Sequence, residues 1–196
     1  MDTVRVMNFY DGGFFRQGNV YFRYKEERGW FSLPELHSLI EEYTASKVKA
    51  STDATKVVAS HYYDGRPTSR ASDEAQLEKD RNFELALIDA GINTHYLPLK
   101  ETPRGDGNDV NYRLMQKGVD VEMAIDVLDS AHEDRYDIAV LFTGDGDFVP
   151  LVKRITSLGK QVLIAYFDID KWDGDDGSHH SATRASASLI DAANWT

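Results

Sequence analysis

The chain of 196 residues is the length of one globular domain, and 41% hydrophobic with 11% aromatic residues is too rich for a disordered segment. Acidic residues number 33 against 22 basic ones, so the formal charge is −11, which argues against non-specific attraction to nucleic acid or anionic lipid. A local basic groove or a bridging metal stays open. The complete lack of cysteine removes disulfides, zinc–thiolate centres, iron–sulfur clusters and thiol nucleophiles. No basic and apolar leader precedes the first strand-like run, and no apolar run approaches the ~20 residues of a membrane span. A soluble, cytoplasmic chain without membrane attachment is expected.

In chain order, residues 4–10 predict a first strand, followed by an irregular stretch over 16–31. Helical spacing of Leu36, Leu39, Ile40 and Tyr43, with Pro34 in the first turn, predicts a helix over 33–44. A second strand spans 55–63, and a helix over 72–90 stops at Gly91. After a strand at 92–97, residues 100–112 read as irregular, and 119–131 as a helix. Strands at 138–142 and 161–167 flank a helix over 148–158 that ends at Gly159. Residues 168–183 complete the irregular stretches. Strand and helix in alternation, with little period-two polarity, predict an α/β fold. Its mostly parallel sheet of about five strands would carry helices on both faces, as a single domain over residues 1–196.

In such sheets ligands bind beyond the carboxyl ends of the strands. The first strand ends in Tyr10-Asp11-Gly12-Gly13, and the fourth in Thr143-Gly144-Asp145-Gly146-Asp147. Asp120 opens the helix before that fourth strand, so Asp11, Asp120, Asp145 and Asp147 can converge on one edge. Clustered carboxylates raise one another's pKa unless a cation neutralises them, and all-oxygen ligands select a hard ion, Mg²⁺ or Mn²⁺. Metal-assisted phosphodiester hydrolysis is the chemistry such a set serves. Each aspartate taken alone also reads as a turn or capping residue, Asp147 above all because Phe148-Val149-Pro150 follows it.

The run from Thr143 to Leu151, followed by Leu158-Gly159-Lys160-Gln161-Val162, resembles the signature of NYN domains. The likeness is closest to the LabA-like bacterial branch of the PIN-like nuclease superfamily. Lys117-Gly118-Val119-Asp120-Val121, Asp126 and the strand from Tyr136 to Leu141 are similar to the segment preceding that signature. Asp11-Gly12 and the closing Ser188-Leu189-Ile190-Asp191-Ala192-Ala193 are similar to its two ends. The resemblance implies a Rossmann-like, three-layer α/β/α sandwich and a metal-dependent endoribonuclease leaving a 5′-phosphate. Its metal-site and catalytic acids would be Asp11, Asp120 and Asp145, with Asp147 completing the set. Asp126 lies about 240° around the helix from Asp120 and reads as a supporting acid, and Thr143 as a group that positions water or phosphate. The chain departs from the family at Phe14, where members commonly carry Asn, and in having no evident mid-chain acid, for which Glu84 is the candidate.

Substrate contacts are expected from Arg104, Arg113 and Lys117, with Lys100, Arg66 and Arg70 nearby. Tyr62, Tyr63, Tyr96 and Tyr112 would stack on unpaired bases or, for Tyr62 and Tyr96, serve as core. Single-stranded or looped RNA is the expected partner, because its backbone is reachable without unwinding. A homodimer supplying an extra cation is left open. The Asp168–Gly174 run lacks the ligands of a calcium loop and reads as an exposed acidic loop, with His179 and His180 in solvent. The rival reading is a binding or regulatory module on the same fold that turns nothing over; a phosphomonoesterase is a third.

Overall fold

A computed structural model describes residues 3–66, 74–104, 111–115 and 118–196. The elements in order are β1 (Val4–Asp11), α1 (Gly12–Val20), α2 (Leu33–Val48), β2 (Thr55–Arg66), α3 (Glu74–Asp89), β3 (Ile92–Pro98), β4 (Lys100–Arg104) and β5 (Asn111–Met115). They continue with α4 (Val119–His132), β6 (Ile138–Phe142), α5 (Val149–Ser157), β7 (Gln161–Ala165), β8 (Trp172–Asp173), β9 (His179–His180) and α6 (Ala187–Ala192). The central sheet has five parallel strands in the order β3-β2-β1-β6-β7. The α/β architecture expected from the alternation is the one observed.

Alternation along the central strands divides the core into two layers. Met7 and Phe9 of β1 face Met123 and Val127 of α4 and Val152 and Ile155 of α5. Val6 and Tyr10 point the other way, toward Phe15, Leu33, Ile40 and Leu87. All five residues of β6 are buried, because helices cover both of its faces. The chain builds outward through β2 and β3, then returns across the sheet through α4 to lay β6 on the other side of β1. The strand order therefore reverses between β1 and β6, and a crevice forms outside their carboxyl ends.

Several boundaries differ from the sequence expectation. Residues 16–31 are largely helical: Asp11 caps α1 by accepting from the Phe14 N–H at 3.2 Å, and α1 runs into a π-helical turn over Tyr21–Lys25. Aromatic packing decides this, since Gly18 lets the Phe167 ring lie directly on α1. Residues 100–112 hold β4 and the start of β5, which pair antiparallel, and 168–183 hold the short ribbon β8–β9. Strand β2 extends to Arg66, three residues past its expected end, because β3 continues to pair with it. The predicted start of α3 lies outside the described residues.

Beneath the edge, on the α4 side, His61 shares a 3.0 Å hydrogen bond with His95, whose Nδ1 stands 3.7 Å from Asp126. The His61 ring stacks on Phe9, and its buried Nε2 has no hydrogen-bond partner among the described residues. Burial first, and then His95, lower its pKa to about 4; Asp126 opposes the shift and Arg135 adds to it. Neutral imidazole is thus the folded form. Its stability contribution is complete above the ordinary histidine range near 6.5 and lost as pH falls toward about 4. His61→Gln is expected to flatten the decline of melting temperature across that window by several degrees; an unchanged slope in pH-dependent calorimetry would contradict it.

Candidate functional site

Four elements deliver acids to the crevice. Strand β1 ends in Asp11, whose Oδ2 accepts from the Thr143 hydroxyl at 3.1 Å. The same threonine oxygen accepts the Asp145 N–H at 3.2 Å, so one buried side chain sets the spacing of the β1 and β6 ends. Asp145 Oδ1 in turn accepts the Asp147 N–H at 2.9 Å and caps the 3-10 turn Gly146–Phe148. The capping role expected of Asp147 therefore falls to Asp145, leaving the Asp147 carboxylate exposed. Asp120 lies in the first turn of α4, where the helix dipole favours a negative charge.

Burial is the first cause that raises the Asp11 pKa; its two hydrogen bonds pull the other way, and Asp120 and Asp64 push it further up. Asp120, open to solvent on its outer side, is raised by partial burial first, then by Asp145 and Asp147. The acids thus feel one another across the crevice. No three His, Asp or Glu side chains among the described residues stand close enough to enclose an ion. The donors nonetheless suit a hard divalent cation in kind, being all carboxylate oxygens under mutual repulsion. Asp120, Asp145 and Asp147 are exposed, so their carboxylates turn without opening the core.

Sequence reasoning missed Asp64. It lies at the end of β2, is only 4% exposed, and sits one position beyond Tyr63, the residue paired with Asp11. Its carboxylate accepts from the Tyr62 hydroxyl at 3.0 Å and the Gly65 N–H at 2.7 Å, and pairs with Arg16. The signal was present: Tyr63-Asp64-Gly65 repeats Tyr10-Asp11-Gly12 at the end of the neighbouring strand. Glu84 instead pairs with Arg66 at 2.6 Å, and Arg66 lies 4.0 Å over the Tyr96 ring. Asp126 stands apart from the Asp120 face and accepts from the Tyr63 hydroxyl at 2.8 Å.

Phe14 uses its backbone to close the Asp11 cap and its ring to stack on Phe167 at 5.4 Å. It lies against Gly144, where an added Cβ would come within 2.7 Å of the ring and 2.3 Å of the Arg184 carbonyl oxygen. The position thus supplies an apolar wall. Tyr62 and Tyr63 are 1% and 0% exposed, which removes them as stacking platforms and makes them core. Arg104 and Arg113 fall on the paired strands β4 and β5, and their side chains, like Lys117, Arg70 and Tyr112, lie outside the described residues. Arg16, on α1, is a described cation paired with an acid of this edge, Asp64. In the acidic loop, Arg184 pairs with Asp168 and Asp170, while His180 stacks on Trp172 at 3.9 Å. A groove between α4 and α5 runs from Asp120 and Asp147 past Val121, Ile125 and Pro150 to Arg154.

Comparison with known proteins gives a consistent result. The family model of the NYN domain matches residues 18–193. The low amplitude and bright protein LabA of Synechococcus elongatus is 25% identical over 154 residues, 79% of this chain and 72% of that protein. A crystal structure of a protein of unknown function from Vibrio parahaemolyticus superimposes with a TM-score of 0.55 at 23% identity, over 98% of this chain and 91% of that one. That likeness bears on the fold alone. No helix among the described residues is long and apolar enough to cross a membrane.

Proposed function

The chain belongs to the NYN domain family, and on that premise we propose that it is a divalent-metal-dependent ribonuclease, acting as one domain on single-stranded or looped RNA in the cytoplasm. The observation that carries the reading is electrostatic. Asp11 and Asp120 are both raised from the ordinary carboxylate value, by burial first, at the edge where the strand order reverses and where the Thr143 hydroxyl ties Asp11 to the Asp145 N–H. Such a set gains most from a dication.

Asp11, Asp120 and Asp145 would hold Mg²⁺ or Mn²⁺, with Asp147 completing the set and Asp64 supporting it from behind. When bound, the ion supplies positive charge to the phosphodiester and makes a water acidic enough to attack phosphorus. The Thr143 hydroxyl and the Phe14 N–H hold both oxygens of Asp11 in fixed directions. Asp145 keeps one oxygen on the Asp147 N–H, and its side chain is exposed. Arg16, tied to Asp64, places a positive charge beside the acids that suits a phosphate.

Incubation of the purified protein with a labelled unstructured RNA and Mn²⁺, Mg²⁺ or chelator tests this. Cleavage that requires metal and leaves 5′-phosphates is expected. RNA left intact with every metal overturns it in favour of a binding module. The pairing of Asp64 with Arg16 favours that second reading, because it spends one acid of the edge on an internal ion pair.

A further inference from the structure

We propose that the turn between α1 and α2, from the π-helical residues Tyr21–Lys25 to Trp30, is a docking surface for single-stranded RNA that leads the strand along α1 to the acidic edge. The destination of the strand rests on the nuclease reading; the binding does not.

Tyr24 and Trp30 are 59% and 58% exposed, with ring centroids 6.0 Å apart at 87°. They are the two most exposed of the described Phe, Tyr and Trp side chains. The Arg23 guanidinium lies 5.8 Å from the Tyr24 ring centroid. Arg23 and Lys25 are exposed and have no carboxylate partner among the described residues, whereas Arg28 is paired with Glu26. Residues 21–30 hold three cations against two carboxylates, a local positive balance in a chain of charge −11. Unpaired cations beside exposed aromatic rings are what phosphates and unpaired bases require together.

Packing and hydrogen bonds tie the turn to the rest of the fold. Phe22 packs on Phe31 at 5.2 Å, Phe31 stacks on Phe167 at 5.7 Å, and the Tyr21 ring meets Trp172 edge-on at 5.7 Å. Buried Asn19 accepts the Phe31 N–H at 3.1 Å, and the Arg28 N–H donates to the Phe22 carbonyl at 2.8 Å. Tyr24 lies within the π-helical turn, and such turns concentrate at functional sites. From Asp11 to Tyr24 the helical rise is about 20 Å, within the span of a few extended nucleotides. The two exposed rings favour single-stranded RNA over an anionic membrane, because ring faces stack on unpaired bases, whereas two free cations are fewer than the basic cluster that holds a chain to anionic lipid.

The test is fluorescence anisotropy with a labelled, unstructured RNA of about 20 nucleotides and Asp145→Asn protein in chelator, which reads binding without turnover. Tyr24→Ala and Trp30→Ala are each expected to weaken binding about tenfold, and Trp30→Phe to retain most of it. Arg23→Gln with Lys25→Gln should lower the salt slope by about two phosphate contacts. An affinity within about twofold of the parent, in a Tyr24→Ala/Trp30→Ala protein of native circular dichroism and melting, overturns the proposal. So does binding to phosphatidylserine vesicles that the double variant loses while RNA binding stays the same. Turn-dependent RNA binding by a chain that cleaves nothing upholds the docking surface and ends the nuclease reading. Metal-dependent cleavage with turn-independent binding does the reverse.

Discussion

Asp145→Asn is expected to reduce metal-dependent RNA cleavage about 100-fold or more while leaving the fold intact. The amide keeps an acceptor for the Asp147 N–H, so the cap on the Gly146–Phe148 turn survives and only a charged oxygen is lost. Asp11→Asn should behave alike, because an amide oxygen can still accept from Phe14 or Thr143. Neither variant should melt lower than the parent without metal. A carboxylate whose folded pKa is raised, as that of Asp11 is, costs stability once ionised; the cost is absent below the ordinary carboxylate range and complete above the raised value. Adding Mn²⁺ at about 100 times its dissociation constant should stabilise the wild type by ~2.7 kcal/mol, roughly 5–10 °C, and the variants far less. Full cleavage by a well-folded Asp145→Asn protein would remove the acidic edge as the catalytic centre.

Gly12→Ala should destabilise the protein by about 3 kcal/mol, seen as a melting temperature lower by roughly 6–12 °C. A Cβ there would lie 2.6 Å from the Tyr63 carbonyl oxygen and 2.7 Å from both the Asp64 Cβ and the Tyr62 ring. Those neighbours belong to β2 and to two buried tyrosines, so α1 must lift away from the sheet. That displacement separates Asp11 from Asp64, and cleavage should fall further than the loss of folded protein explains. Gly13→Ala is the control: its Cβ meets only Asp11 Oδ1, at 3.4 Å, and the first turn of a helix gains from alanine. Equal melting temperatures for the two variants would contradict the close contact between α1 and β2.

The parallel sheet and its acidic edge were legible in the sequence because both are written locally. Short β-branched runs alternate with helical spacing, and Asp-Gly or Gly-Asp-Gly-Asp follows the strands that carry the candidate site. Helical spacing alone also set Asp126 apart from Asp120, and the structure places Asp126 against Tyr63. Other features depended on partners far away in the chain. The helix over residues 12–20 forms where Phe167 packs on Gly18 and Asp11 caps the first turn, and neither periodicity nor composition reveals that contact. Tyr62 and Tyr63 have the chemistry of base-stacking residues, yet α1 and α4 cover the two faces of β2 and bury both rings.

Asp64 shows the division most clearly. Its Tyr-Asp-Gly context was in plain view, but what makes it part of the edge is the register that sets Tyr63 beside Asp11 and the approach of Arg16 from α1. The sequence by itself determined which residue types end each strand, and hence an oxygen-rich, acidic edge on a parallel sheet. Tertiary structure alone decided which acids meet, which are neutralised and which rings remain in water. Those outcomes follow from strand order and from packing between residues distant in sequence, where burial and Coulomb forces act through space rather than along the chain.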